Sequence, residues 1–177
     1  MAFSGRSNVG KSSLINVLLA RTRSKLARVS STPGKTQALN FYRVNDRFFL
    51  VDLPGFGYAR VPKEMQEGWR DLIEAYLSRE PALKGVVHLV DARRGAMDSD
   101  LRMLTFLAAL QVPVLIVLTK IDKLKRSERQ GSLDRTVGAL GVDVEQVIPF
   151  SARTGEGREA LLSALEGLLD APPGGVS

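Results

Sequence analysis

The chain has 177 residues with a single histidine and no cysteine, which excludes a disulfide framework, a thiolate metal site and an ordinary zinc site. Its composition, 44% hydrophobic and 25% charged, is that of a globular protein large enough for a substantial core. The longest apolar run, residues 112–118, is too short to cross a bilayer, and the N-terminus has no signal-peptide pattern. We therefore expect a cytoplasmic protein, monomeric and with no membrane partner.

Hydrophobic periodicity alternates between strand-like and helix-like segments along the chain. The predicted strands span residues 2–4, 39–44, 47–51, 86–90, 112–118 and 146–150. The predicted helices span residues 12–19, 65–76, 99–110, 127–140 and 161–169. Asn45 and Asp46 predict a two-residue turn that joins the second and third strands into a hairpin. Residues 22–38 lack periodicity and predict a functional or mobile loop, and residues 171–177 predict a disordered tail.

This order predicts an α/β fold with one domain over residues 1–170. The six strands form a mainly parallel sheet, helices cover both faces to make three layers, and the hairpin contributes one antiparallel edge strand. Ligands of such sheets bind beyond the carboxyl ends of the strands. The one histidine, His88, lies mid-strand among valines with no acidic partner nearby in sequence, so we expect it to pack in the core.

The first strand leads into Gly5–Ser12, which fits the phosphate-binding pattern G-x-x-x-x-G-K-[ST]. Glycines allow a tight turn whose backbone N–H groups approach phosphate oxygens. Lys11 supplies positive charge to the β- and γ-phosphates, Ser12 offers a hydroxyl to magnesium, and the next helix directs its positive end at the phosphates. A chance glycine-rich turn is the alternative, but the strand before it and the helix after it favour phosphate binding. The nucleotide-contacting residues of this loop are Gly5, Arg6, Ser7, Asn8, Val9, Gly10, Lys11, Ser12 and Ser13.

A second motif follows the third predicted strand. Asp52 stands where a carboxylate can hold magnesium opposite Ser12, often through water. The Gly55 N–H can approach a γ-phosphate, because glycine lets the backbone come close. Asp-x-x-Gly is a weak signal alone, since both residues are common in turns. Its position after a strand and downstream of the phosphate-binding loop favours the functional interpretation.

Thr119-Lys120-Ile121-Asp122 follows the most apolar strand and indicates guanine recognition. The Asp122 carboxylate can accept hydrogen bonds from N1–H and the 2-amino group of guanine, which adenine cannot offer. The Lys120 stem can lie along the base. The alternative is that Asp122 caps a helix. After the last strand, Ser151-Ala152-Arg153 predicts a tight turn whose Ala152 N–H reaches guanine O6.

Together these motifs make the chain resemble the Ras-like GTP-binding domains, and in particular the EngB family of bacterial GTP-binding proteins. The resemblance covers residues 2 to about 169, and it is carried by Gly5–Asn16, Thr32–Gln37, Asn40–Tyr42 and Asp52–Ala59. It implies the three-layer P-loop GTPase fold, GTP or GDP with Mg²⁺, and a role in assembly of the large ribosomal subunit. The implied partner is that subunit or its precursor, with its rRNA and proteins. The resemblance also associates the chain with cell division and septation.

The resemblance further implies roles for residues in the loop that follows the first helix. Thr36 is similar to the mobile-loop threonine that ligates magnesium when GTP is bound, and Thr32 is the alternative. Gly34 and Lys35 lie beside it in the nucleotide-contacting set. The implied catalytic residues are Lys11, Thr36 and Gly55. The implied metal ligands are Ser12, Thr36 and Asp52.

Several residues depart from the general GTPase pattern. Thr119 stands where the wider superfamily usually has Asn, and the short stretch before Gly5 implies a natural start ahead of Met1. Phe56 replaces the glutamine that orients the attacking water, so intrinsic hydrolysis is expected to be slow. GTPases with such a replacement often carry an asparagine like Asn8 that helps hold K⁺, which makes potassium a further candidate cofactor. The alternative is that Asn8 only braces the loop.

The net charge of +6 is unevenly spread, since residues 1–60 hold ten Lys/Arg and two Asp/Glu. One interpretation is a surface for RNA or another polyanion, and the other is a solvated basic loop. Two functions are also open. The chain is either a GTP-hydrolysing switch in ribosome assembly, or a module that senses GTP and GDP for a protein partner with negligible turnover. The basic residues concerned are Arg21, Arg23, Lys25 and Arg28.

Overall fold

The computed structural model describes residues 1–20, 26–31, 39–55 and 63–170. Within these ranges, each of the six predicted strands and five predicted helices has a counterpart. The strands are β1 (Ala2–Gly5), β2 (Leu26–Ser31), β3 (Asn40–Val44), β4 (Phe48–Asp52), β5 (Val86–Asp91), β6 (Val114–Thr119) and β7 (Val147–Phe150). The helices are α1 (Lys11–Ala20), α2 (Lys63–Arg79), α3 (Asp98–Ala109), α4 (Arg126–Leu140) and α5 (Arg158–Asp170). Short 3₁₀ turns at Ile121–Lys123 and Val144–Gln146 precede α4 and β7.

The strands form one sheet in the order β2-β3-β4-β1-β5-β6-β7. β1 pairs in parallel with β4 and β5, and β6 pairs in parallel with β5 and β7. Among the described strands, β3 alone points in the opposite direction, and it therefore pairs antiparallel with both β2 and β4. The α/β class and the mainly parallel sheet are therefore confirmed.

The sheet contains β2 in addition to the six predicted strands. β2 lies inside the stretch 22–38 that predicts a loop, and it pairs with β3 with a register shift between Arg28 and Ser30. The antiparallel strand β3 consequently lies one place in from the edge. An edge strand presents unpaired N–H and C=O groups that accept a neighbouring chain without requiring an alternating side-chain pattern, so periodicity gave no sign of β2. The rest of the predicted loop and the predicted tail lie outside the described residues.

The predicted hairpin is present, and its turn explains the residue types found there. Asn45 and Asp46 both adopt left-handed backbone conformations, with φ of 52° and 56°. The Arg47 N–H donates to the Val44 carbonyl over 3.0 Å and closes the turn. Two consecutive left-handed residues match the twist of a hairpin, and Asn and Asp tolerate this conformation better than other residues with a β-carbon.

Helices cover both faces of the sheet, and the alternation of side chains along β5 shows how. Val87 and Leu89 pack with α1 and α5 on one face. Val86 packs with α2 and α3 on the opposite face, and Val90 packs there with α3 and α4. The three predicted layers follow from this alternation, because successive strand residues point to opposite faces. Among the described helices, none is both long and apolar enough to span a bilayer.

A polar cluster within the core joins β1, β5 and α3. His88 is fully buried, as predicted, with Nδ1 lying 2.8 Å from Ser4 Oγ and Nε2 lying 3.2 Å from an Asp100 oxygen. The other Asp100 oxygen accepts the Met97 N–H over 2.9 Å, which caps the start of α3. The acidic partner therefore comes from a helix twelve residues later, which sequence proximity did not indicate. All three side chains of the cluster are sealed from solvent, so it fixes α3 against the sheet and is not accessible to substrate.

Candidate functional site

The predicted site residues follow strands that end at the same edge of the sheet. The register pairs Gly5 with Leu89 in β5, and Asp91 at the end of β5 with Thr119 at the end of β6. Thr119 in turn pairs with Phe150, the last residue of β7. The loops after β1, β4, β5, β6 and β7 are consequently neighbours, as expected for a parallel sheet.

The phosphate-binding loop joins β1 to α1. The chain turns between Arg6 and Val9, where the Val9 N–H donates to the Arg6 carbonyl over 3.2 Å. Asn8 is left-handed with φ of 61°, and Gly10 has φ of 104°, a conformation that residues with a β-carbon rarely adopt. The first turn of α1 therefore presents its N–H groups and positive dipole end beside this loop. Ser12 and Ser13 are exposed in that first turn.

Two contacts bring the phosphate-binding loop against the segment that begins at Asp52. The Lys11 ammonium donates hydrogen bonds to a carboxylate oxygen of Asp52 and, over 2.7 Å, to the Leu53 carbonyl. A β-carbon at Gly55 would lie only 3.3 Å from Ser7 Oγ, so Gly55 approaches the loop closely. The Ser7 hydroxyl is shielded from solvent and has no hydrogen-bond partner within the described ranges. The structure thus brings Lys11, expected to meet the phosphates, beside Asp52, expected to hold magnesium, and it places Gly55 against the same loop.

Asp122 lies in the 3₁₀ turn after β6, and its side chain is 9% exposed. The Ser151 hydroxyl donates to Oδ1 over 2.8 Å. Oδ2 is shielded from solvent, lies 3.7 Å from the Lys123 ammonium and has no hydrogen bond to any described group. Burial raises the pKa of Asp122, but the Ser151 hydrogen bond and the charges of Lys123 and Arg153 lower it more. An ionised, buried acceptor without a hydrogen bond is suited to an N–H donor of a base.

The alternative role of Asp122 as a helix N-cap is wrong. The next α-helix, α4, begins at Arg126, and the residue that precedes it is Lys125. Asp122 sits within the short turn before that helix, and its side chain bonds to Ser151 on a different element. The physical reason is the compact turn between β6 and α4, which directs the carboxylate across to the loop after β7.

Thr119 and Lys120 bind the backbone of the phosphate-binding loop. The Thr119 hydroxyl lies 2.6 Å from the Val9 carbonyl oxygen and 3.1 Å from that of Val90. Its single proton serves the shorter contact best, so threonine ties β6 to the loop. The Lys120 ammonium donates to the Asn8 carbonyl and, over 2.9 Å, to Oδ2 of Asp91. The base-recognition segment and the phosphate-binding loop are therefore joined by side-chain to backbone hydrogen bonds.

Asp91 lies at the edge of this site, although the sequence analysis assigned it no role. Besides Lys120, its carboxylate accepts the side chain of Arg93 over 2.7 and 3.0 Å and the Arg93 backbone N–H over 3.0 Å. Burial raises the pKa of Asp91, but the hydrogen bonds from Arg93 and Lys120 outweigh it and lower this pKa to about 2. A signal was present, since Asp91 ends a buried strand in the same way as Asp52.

Of the remaining predicted residues, some lie at this edge of the sheet and others lie outside the described residues. Ala152 is half-buried and Arg153 is exposed in the turn after β7, whose shape is maintained by the Thr154 N–H donating to Ser151 Oγ over 3.2 Å. Arg6 in the phosphate-binding loop contacts the Met97 sulfur at the start of α3. The predicted loop residues Thr32, Gly34, Lys35 and Thr36 lie outside the described residues.

A phosphate-binding loop, an Asp-x-x-Gly segment and a base-recognition segment at the carboxyl edge of a mainly parallel sheet define a P-loop GTPase. A family model described as 50S ribosome-binding GTPase matches residues 1–120. A probable GTP-binding protein EngB from Gemmatimonas aurantiaca is 51% identical, over 97% of this chain and 83% of that protein. Its counterpart from Geobacter sp. strain M21 is 45% identical, over 100% of this chain and 88% of that protein.

A solved structure gives the same result. The crystal structure of a probable GTP-binding protein engB matches with a TM-score of 0.77 at 28% identity, over 95% of this chain and 97% of that one. The chain belongs to the EngB family of GTP-binding proteins. It is accordingly a GTPase that binds guanine nucleotide.

Proposed function

We propose that this GTPase is a nucleotide-dependent switch that acts in the cytoplasm during assembly of the large ribosomal subunit, with residues 1–170 as its single GTP-binding domain. The observation that carries the proposal is the bonding of Thr119 and Lys120 to the backbone of the phosphate-binding loop. Because these hydrogen bonds hold the base-recognition segment against the phosphate-binding loop, one nucleotide can contact both at the same time. The ribosomal partner is supported by the description of the matching family, a 50S ribosome-binding GTPase.

In this proposal each group at the sheet edge has a separate task. Lys11 places positive charge at the β- and γ-phosphates, and the Gly55 N–H approaches the γ-phosphate. The Ser7 hydroxyl, which has no partner within the described ranges, is a donor for a phosphate oxygen. Asp122 and the turn at Ala152 select guanine. Thr36, whose position is not described, orders its loop when GTP is bound and releases it after hydrolysis.

The oxygen groups near Lys11 fit a magnesium ion. Asp52 offers a carboxylate and Ser12 an exposed hydroxyl, which are the hard ligands that Mg²⁺ prefers, and phosphates with water complete its shell. Bound magnesium would neutralise charge that develops on the phosphate oxygens. The Lys11 ammonium now bonds to Asp52, so its transfer to a phosphate would leave that carboxylate available to the metal.

Hydrolysis is proposed to be slow without an activator, because Phe56 has no group that could orient water. A potassium ion at Asn8 would place positive charge where negative charge develops on the phosphates during hydrolysis. Asn8 has an exposed side chain, and its carbonyl bonds to Lys120, so the residue also braces the loop through its backbone. The two roles of Asn8 are separable, because bracing uses the backbone carbonyl whereas ion binding would use the side chain.

Co-sedimentation with ribosomal subunits tests the switch. The protein should pellet with the large subunit or its precursor in the presence of a non-hydrolysable GTP analogue, and less in GDP. Turnover of GTP should rise when subunits are added. Binding that ignores the nucleotide would refute the switch, and negligible turnover with and without subunits would favour the GTP/GDP-sensing module.

A further inference from the structure

Asp91 occupies an unusual position at the edge of the guanine-nucleotide site. It ends β5, and its side chain is only 9% exposed. Both carboxylate oxygens are engaged, Oδ1 by Arg93 and Oδ2 by Arg93 and Lys120. A buried carboxylate between two cations costs desolvation free energy that is offset only when its hydrogen bonds are well formed. The arrangement therefore depends on both cations staying in place.

Lys120 is the partner whose location matters for the nucleotide. Its backbone is left-handed, with φ of 62° and ψ of 31°, a conformation that is unfavourable for a residue with a β-carbon. Its stem crosses the phosphate-binding loop, since a β-carbon at Gly10 would lie 3.6 Å from Lys120 Cε. The Lys120 side chain is 26% exposed, and the ammonium at its end is held by Asp91 and by the Asn8 carbonyl.

The charge of Asp91 also decides what Lys120 can do. When a hydrogen-bonded carboxylate neutralises the charge of a lysine, the phosphate groups attract its ammonium less strongly. Its apolar stem then remains available as a surface for the base. If the carboxylate were neutral, the ammonium would keep only the Asn8 carbonyl, and the flexible stem would have to be ordered again each time a nucleotide binds.

We propose that Asp91 is a positioning residue for guanine-nucleotide binding. Its carboxylate holds the Lys120 ammonium against the phosphate-binding loop, so that the lysine stem stays beside Gly10 and is available as a surface for the base. Asp91 acts through Lys120 and does not itself touch the nucleotide. Arg93 assists by occupying the remaining lone pairs of the carboxylate.

Asp91→Asn tests the proposal, because the amide has the same size but neither the charge nor the second acceptor. We expect Kd for GDP and for a non-hydrolysable GTP analogue to rise by the same factor, about tenfold, as the lost contact is one charged hydrogen bond. At saturating GTP, kcat should stay within about twofold, since the Lys11 and Asp52 groups are not altered. Fluorescence titration with labelled nucleotides and single-turnover hydrolysis measure these quantities.

A double-mutant cycle with Lys120→Met separates positioning from general structural support. If Asp91 acts through Lys120, adding Asp91→Asn to Lys120→Met should change Kd by less than about twofold. The proposal would be overturned if the losses of affinity from the two substitutions multiplied. It would also be overturned if kcat and affinity fell equally in Asp91→Asn. Asp134→Asn removes the same charge from an exposed site on α4 and should leave Kd unchanged.

The cycle remains decisive even if Asp91→Asn folds poorly. Asp91→Glu keeps the charge while displacing it by one methylene group, so it should raise Kd less than Asp91→Asn does. Thermal unfolding without nucleotide reports the folded fraction of each variant. Asp91→Glu could fold and still lose the same affinity when Lys120 is already methionine. That result would refute the role of Asp91 as a positioning residue.

Discussion

Replacement of Asp122 by asparagine should change the base that the protein prefers. In the structure, Oδ1 of Asp122 accepts the Ser151 hydroxyl, whereas Oδ2 has no hydrogen bond to the described residues. The amide oxygen of an asparagine would keep the bond to Ser151, so the NH₂ group would take the place of Oδ2. An acceptor for guanine N–H groups would thereby become a donor.

The expected magnitude follows from the two bonds at stake. Hydrogen bonds to a charged group contribute about 1.5–3 kcal/mol each, so loss of both guanine contacts corresponds to about 3–6 kcal/mol. GTP affinity should therefore fall by roughly 10²- to 10⁴-fold. Xanthosine triphosphate has a carbonyl where guanine has its amino group, so the new NH₂ should favour it.

Competition between GTP and xanthosine triphosphate measures the change directly. Wild type should prefer GTP and Asp122→Asn should prefer xanthosine triphosphate. Ser151→Ala is the matched control, since it loosens the same carboxylate without altering its acceptor character, and it should weaken GTP binding without reversing the preference. A folded Asp122→Asn protein that still prefers GTP would show that Asp122 does not contact the base.

Three further outcomes are expected. Potassium should stimulate single-turnover GTP hydrolysis relative to sodium, and Asn8→Ala should abolish the difference; equal rates in both salts, with and without ribosomal subunits, would exclude a potassium site. Asp100→Ala should destabilise the fold by about 2–3 kcal/mol, because His88 and the Met97 N–H lose their partner. The corresponding fall in Tm is about 6 °C. Asp98→Ala, which removes an exposed carboxylate from the same helix turn, should change Tm little. Equal effects of the two substitutions would argue against a stabilising role of the buried cluster. Ribosome binding should weaken steeply as the salt concentration rises. Replacing four basic residues by glutamine should reduce the slope of log K against log salt by about three. An unchanged slope would mean that these residues form only a solvated basic loop. Those positions are Arg21, Arg23, Lys25 and Arg28.

Local chemistry allowed much of this protein to be recognised from sequence. The phosphate-binding loop is built from eight consecutive residues, Gly5–Ser12, so its geometry and its signature lie together in the chain. Asp52, Thr119 and Ser151 were found because each follows an apolar strand, and parallel strands end at one edge. The left-handed turn at Asn45 was predictable for the same reason, since its conformation depends on neighbouring residues only.

Contacts between distant segments were decided by tertiary structure alone. Asp91 meets Lys120 because β5 and β6 are parallel neighbours that end level with each other, a relation that no local pattern contains. Asp100 reaches His88 because α3 packs over the face of β5 from which this histidine projects. β2 exists because β3 offered an open edge, although residues 26–31 carry no alternating pattern. Hydrogen bonds and ion pairs depend on distances of a few ångströms between groups far apart in sequence, and only the folded chain sets those distances.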